Sequence, residues 1–177
     1  MKNSLKNFYT ETKIFLIPIL CIIFLVLLLA VPRNNIYWNF LRQAPFYTGI
    51  YFWQSQRPDA FNIFSAFILG VFADVLGSMP LGINIISFLI LYITSAQFSI
   101  KFNVKHFSYS WFLFSLATIV TLFFKTLILS IFYRKMIPVA PLFIELLLIL
   151  AIYPLFARYY IWIERKYIHL EERYEKI

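Results

Sequence analysis

Three charged residues lie inside apolar stretches of the sequence: Asp74, Lys125 and Glu145. A charge at membrane depth costs about 3 kcal/mol on insertion scales, so it requires a partner or a purpose. In one interpretation Lys125 pairs with Glu145, while Asp74 joins them or accepts hydrogen bonds from the amides that open the next helix. In the other, the three line a polar pocket for a ligand or for a partner's charged group.

Other residue types offer little chemistry. Cys21 is the single cysteine, and His106 and His169 are far apart with no ligand pattern near either. The sequence contains no nucleophile motif, no clustered metal ligands and no phosphate-binding glycine loop. We therefore expect a non-enzymatic protein without a metal or a cofactor.

The composition predicts the elements that carry these charges. The chain has 177 residues, of which 62% are hydrophobic and 14% are charged. The apolar runs do not alternate as barrel strands do, which indicates spanning helices. The net charge of +8 comes from positive residues between the runs, which points to topology and lipid headgroups and not to nucleic acid.

Apolar runs and breaks predict an all-α integral membrane protein with six transmembrane helices, at about residues 14–31, 45–54, 61–76, 82–100, 109–133 and 139–157. The first run lacks a cleavage site, so we expect an uncleaved span. Residues 36–43 are expected to form an aromatic connector at the interface. Pro45 suits the first position of the second helix, whose run is short for a full span and is therefore either extended by its flanks or set in a locally thin bilayer. The transmembrane domain then covers residues 1–157, and a cytoplasmic amphipathic helical tail covers residues 158–177.

Positive charges favour six spans with both termini in the cytoplasm. That topology places eleven Lys and Arg residues inside and four outside, whereas omitting the second helix places five inside and ten outside. The positive-inside rule selects the first arrangement. In it Asp74, Lys125 and Glu145 all fall in the outer third of the membrane.

Small residues recur on one face of the third helix: Ala66, Gly70, Ala73 and Gly77. Such a face lets another backbone approach closely. It is expected to pack inside the monomer or, alternatively, to dock a single-span partner helix.

The tail carries an aromatic and aliphatic stripe with helical spacing, formed by Tyr160, Ile163, Tyr167, Leu170 and Tyr174. The stripe is too short to specify a coiled coil alone. It is expected to lie on the headgroups or on the protein's own loops, or else to bind a cytoplasmic partner.

The segment from residue 42 to 97 resembles the bacterial rod shape-determining membrane protein MreD. The resemblance rests on a Pro-led helix ending in Tyr51-Phe52-Trp53, the turn Arg57-Pro58, and Ala66-Phe67-Ile68-Leu69-Gly70 followed by Asp74. Pro80-Leu81-Gly82 opens the next helix, and Tyr153-Pro154 precedes a basic tail. The order and spacing of these residues fit the family.

The resemblance implies a scaffold subunit of the cell-wall elongation complex in the bacterial inner membrane, which regulates peptidoglycan synthesis and maintains cell shape. Such a protein works with the single-span protein MreC and, indirectly, with MreB, RodA and its transpeptidase partner. Membrane lipids surround it, and a homodimer is allowed.

The resemblance also implies a fold similar to the S-component of energy-coupling-factor transporters. The alternative function is therefore that of a small-molecule (vitamin) binding subunit of such a transporter. Those subunits dock through small residues on the first helix, where this chain has Ala30 alone.

Overall fold

The computed structural model describes residues 2–29, 36–77, 80–101, 107–135 and 138–168. Within those ranges the chain folds into helices and contains no strand. The α-helices are α1 (Lys2–Leu28), α2 (Ile36–Gln56), α3 (Ile63–Gly77), α4 (Ile83–Lys101), α5 (Phe107–Tyr133) and α6 (Val139–Ile163), followed by a π-helical turn, Glu164–Ile168.

Three stretches are long and apolar enough to cross a membrane: Ile83–Lys101, Phe107–Tyr133 and Ala140–Lys166. Two shorter apolar helices, Phe15–Leu28 and Ile63–Gly77, accompany them. The fold is thus all-helical, with the apolar lengths that a membrane protein requires.

The second helix is the centre of the bundle. Its predicted start was wrong, whereas its extension by the flanking residues was one of two expectations. It begins at Ile36 instead of Pro45, and it includes the residues expected to form an interfacial connector. Every residue from 44 to 54 is buried, and α2 packs against each of the other five α-helices. The least apolar of these helices is therefore enclosed by the protein itself.

Pro45 lies inside α2, where it leaves the carbonyl of Leu41 without its helical donor. Nearby groups reinforce this part of the helix. The Tyr160 hydroxyl donates to the Pro45 carbonyl oxygen at 3.0 Å, and the Thr48 hydroxyl donates to Ala44 at 2.8 Å. Interior prolines are tolerated in membrane helices where neighbours supply such contacts.

Pro154 in α6 also removes a backbone donor, and here a neighbouring side chain replaces it directly. Its missing N–H leaves the Leu150 carbonyl free, and the Trp111 indole N–H of α5 donates to that oxygen at 3.2 Å. A side chain from a neighbouring helix thus takes the place of the lost backbone donor.

Helices α4 and α5 expose mainly apolar side chains and bury polar residues among apolar ones. In α5 the buried face carries Thr118, Thr121 and Lys125, while Phe112, Phe123 and Ile131 are exposed. In α4 the buried face carries Asn84, Ser87 and Ser95, while Ile86 and Ile93 are exposed. This inverted pattern suits a surrounding solvent of hydrocarbon chains.

Candidate functional site

Asp74, in the last turn of α3, holds the start of α4. Its carboxylate oxygens accept hydrogen bonds from the backbone N–H of Gly82 at 2.7 Å and of Asn84 at 2.9 Å. The first amides of a helix have no intrahelical partner, and the helix dipole favours a negative charge there. Asp74 is 1% exposed, so these oriented amides take the place of water around its carboxylate.

The turn after α3 allows the amides of Gly82 and Asn84 to reach the Asp74 carboxylate. Gly82 has φ of 109°, a conformation that side chains with a Cβ rarely adopt. Its carbonyl then accepts from Ile86 N–H at 2.9 Å, which starts the α4 ladder. Pro80-Leu81-Gly82 thereby directs two amides back toward Asp74.

Lys125 of α5 and Glu145 of α6 form an ion pair inside the bundle. The Lys125 Nζ donates to Glu145 Oε1 at 3.0 Å, and the two side chains are 2% and 5% exposed. A buried pair of this kind requires good geometry and further hydrogen bonds to offset desolvation.

Gln43 of α2 supplies the further hydrogen bond. Its Oε1 accepts from Lys125 Nζ at 2.6 Å, and the same ammonium lies 5.8 Å from the centroid of the Tyr47 ring. A cation within about 6 Å of an aromatic face is attracted to it. Three helices, α2, α5 and α6, are therefore joined at one ammonium group.

The structure brings Lys125 and Glu145 together and places Asp74 on the helix-opening turn. Among the described residues no ion pair joins Asp74 to Lys125. Gln43, from the ion-pair site, and Asn84, whose amide binds Asp74, line a common cavity. These contacts define what we call the polar end of the bundle, formed by Gln43, Asp74, Asn84, Lys125 and Glu145.

The cavity at the polar end lies between α2, α3 and α4 and has a volume of about 150 Å³. Arg42, Gln43 and Asn84 contribute polar groups to its wall. Phe46, Ala73 and Leu76 contribute apolar groups. Asp74, Lys125 and Glu145, which the sequence allowed to line one pocket, are not among the residues that line this cavity.

The small face of α3 is used inside the monomer. Ala66, Gly70 and Ala73 are buried, and Gly77 is half-buried. A Cβ on Gly70 would lie 2.6 Å from the Ile85 Cα of α4, so only glycine permits this helix approach. The close backbone contact therefore joins α3 to α4.

The tail stripe differs from its prediction where the structure describes it. Tyr160 and Ile163 are buried in the core, and the Tyr160 ring packs against Trp53 and Phe52. They are buried because α6 continues to Ile163, past the expected domain boundary at residue 157. Tyr167 lies in the π-helical turn, and Leu170 and Tyr174 lie outside the described residues.

The turn after α2, which carries the motif residues Arg57 and Pro58, is held by contacts between residues close in sequence. Arg57 N–H donates to Trp53 at 2.9 Å, and Ala60 N–H donates to the Arg57 carbonyl at 3.0 Å. The Arg57 side chain lies 3.7 Å from Asp59, which is 70% exposed, and Pro58 is exposed. These residues reverse the chain between α2 and α3.

A second polar network lies toward the other end of the bundle from the polar end. It was not identified from the sequence. The Tyr51 hydroxyl donates to the Ser110 carbonyl at 2.9 Å, and the Ser110 Oγ lies 3.2 Å from the Tyr153 hydroxyl. The Tyr153 ring stacks on Phe114 at 4.2 Å. Buried tyrosine hydroxyls require partners, and that requirement was the available signal.

Within the described residues, no group of three or more His, Cys, Asp or Glu side chains is placed to hold a metal ion. The arrangement instead pairs each buried charge with other groups of the chain. Comparisons with models of protein families, with curated proteins and with solved structures found no match.

Proposed function

We propose that the chain is a non-enzymatic membrane scaffold subunit similar to MreD, acting in the bacterial cell-wall elongation complex. The observation that carries this proposal is the use of Asp74. Both of its oxygens bind the amides that open α4, so the most distinctive residue of the motif holds helices together. A charge bound in this way suits architecture better than proton transfer or turnover.

Other motif residues have roles of the same kind. Gly70 permits the close approach of α3 and α4, and Tyr51 links α2 to α5 through Ser110. The segment that resembles MreD therefore contributes mainly internal contacts. A partner of the MreC type, with one span, is then expected to bind an outer surface of the bundle.

The proposed topology has six spans and both termini in the cytoplasm of the inner membrane. The position of α2 supports it. With 21 residues, α2 is about 32 Å long, close to the thickness of the hydrocarbon core. Its burial among the other helices explains how a relatively polar helix is stable at that depth. The polar end then faces the outside.

The cavity volume argues against the vitamin-binding alternative. Small-molecule sites generally measure about 300 Å³ or more. The cavity at the polar end measures about 150 Å³, and it is lined in part by the large side chains of Arg42 and Phe46. A larger groove on α5 and α6 is almost wholly apolar, with Thr126 as its hydroxyl-bearing residue.

The test is a quantitative pull-down of the tagged full chain from native membranes in nanodiscs. We expect recovery of a single-span protein with a periplasmic coiled coil, together with elongation-complex subunits. Recovery of an ATPase module in its place would contradict the scaffold and support transport. Asp59→Asn, at an exposed carboxylate, serves as the control for Asp74→Asn, which is expected to weaken folding or partner recovery.

A further inference from the structure

The cavity at the polar end contains a buried acceptor that the chain does not satisfy. The Asn84 side chain is 4% exposed, and its Oδ1 has no hydrogen-bond partner in the described residues. An unpaired buried polar atom costs about 1–3 kcal/mol. Asn84 lines the cavity, so a donor that reached this oxygen from the cavity would remove that cost.

Two other residues that line the cavity, Arg42 and Gln43, carry donor groups. Lys125 can only donate, so the Gln43 atom that it contacts is the amide oxygen, and the Gln43 NH₂ group keeps its donor capacity. Arg42 lines the same cavity, and its guanidinium is a group that suits a phosphate. The cavity therefore combines anion-binding donors with one acceptor.

The size and setting of the cavity restrict its occupant. Its volume of about 150 Å³ is well above the roughly 10–15 Å³ that one water molecule needs, and below the about 300 Å³ of a typical small-molecule site. Val75 and Leu81, next in sequence to Asp74 and Gly82, are exposed apolar side chains. A small polar group attached to hydrocarbon chains meets both conditions.

We propose that this cavity binds the headgroup of a phospholipid that carries both a phosphate and a hydrogen-bond donor. The phosphate contacts Arg42 and the Gln43 amide, and the donor contacts Asn84 Oδ1. Phosphatidylglycerol supplies a hydroxyl and phosphatidylethanolamine supplies an ammonium. Phosphatidylcholine has the same phosphate and no donor, which makes it the matched control.

The test measures lipid retention by native mass spectrometry of the full chain. The protein is exchanged into mixed micelles that contain equal amounts of the three lipids with identical acyl chains. We expect phosphatidylglycerol or phosphatidylethanolamine to be retained about fivefold over phosphatidylcholine, the effect of one hydrogen bond. Equal retention of all three would overturn the proposal.

Two variants separate the contacts. Asn84→Leu is expected to abolish the preference, whereas Gln97→Leu, an exposed carboxamide on the same helix, retains it. Arg42→Gln is expected to lower retention of all three lipids, whereas Arg134→Gln, an exposed arginine, does not. Should Asn84→Leu fail to fold, an unchanged retention in the half-buried Arg42→Gln variant still overturns the proposal.

Two further measurements identify other occupants. Excess glycerol phosphate is expected to leave lipid retention unchanged. If it displaces the lipid, the occupant is a soluble phosphoester and the proposal is overturned. A diazirine analogue of leucine at Leu76, which lines the cavity, is expected to crosslink phospholipid in cells. Crosslinking to a polypeptide would make the cavity a protein-docking site and overturn the proposal. Neither result depends on the scaffold function.

Discussion

Asp74 and Glu145 are both almost fully buried, yet different groups stabilise their carboxylates. Glu145 meets the Lys125 ammonium, a full opposite charge on another helix. Asp74 meets two backbone amides at the start of α4. The first arrangement depends on three side chains, whereas the second depends on the path of the main chain.

The two sites therefore differ in what can replace them. The ion pair has no net charge, so two apolar side chains of similar size can occupy its place. The amides that face Asp74 belong to the backbone and remain whichever side chain occupies position 74. Removing both charges of the pair and removing the single charge of Asp74 should consequently have different effects.

The largest effect is expected for Lys125→Met, which leaves Glu145 buried without its counter-charge. The free energy of unfolding should fall by about 3–5 kcal/mol. Unfolding in mixed micelles measures it, with Lys101→Met, at an exposed lysine, as the control. An equal, small loss in both variants would show that the ion pair contributes little.

Asp74→Ala comes next, because it leaves the N–H groups of Gly82 and Asn84 without their acceptors. We expect a loss of about 2–3 kcal/mol in the free energy of unfolding. Hydrogen exchange should also rise at the amides that open α4. If exchange there matches that of the exposed-site control Asp59→Ala, Asp74 does not hold the turn.

Gln43→Leu removes the neutral acceptor and keeps the ion pair. The expected loss is about 1.5 kcal/mol, since a hydrogen bond to a charged group is lost while Lys125 still contacts Glu145. The measurement is the same unfolding titration, compared with Gln97→Leu. A loss as large as that of Lys125→Met would mean that Gln43, and not Glu145, is the main partner of the ammonium.

The smallest effect is expected for the double variant Lys125→Met/Glu145→Met. Its stability should lie within about 1 kcal/mol of the parent, because both charges leave together. A double-mutant cycle with the single variants gives the coupling energy. Additive losses would show that the two residues act independently, and the contrast with Asp74 would disappear.

The sequence predicted the simpler elements closely. Helices α3 to α6 were expected to begin at residues 61, 82, 109 and 139, and they begin at Ile63, Ile83, Phe107 and Val139. These helices are apolar runs bounded by charges, Pro or Gly, which are strong boundary signals. The contact of Asp74 with the next helix was one of two expectations, because Gly82, in the turn that opens that helix, lies only eight residues after Asp74.

The centre of the bundle was harder to predict. Hydropathy detects helices with a wide lipid-facing surface, and α2 has none between residues 44 and 54. Its Tyr51 and Gln43 find partners 59 and 82 positions along the chain. Pairing over such distances leaves no periodic signal in the local sequence, so Gln43 and Ser110 were not identified.

The enclosed position of α2 has a consequence for how the protein is made. The ribosome synthesises α2 before α4, α5 and α6, which together bury much of its surface. During that interval Thr48 and Gln54, both buried in the finished bundle, face lipid or the insertion machinery. We expect nascent chains that end after α2 to remain associated with the insertase, and chains that include α6 to be released.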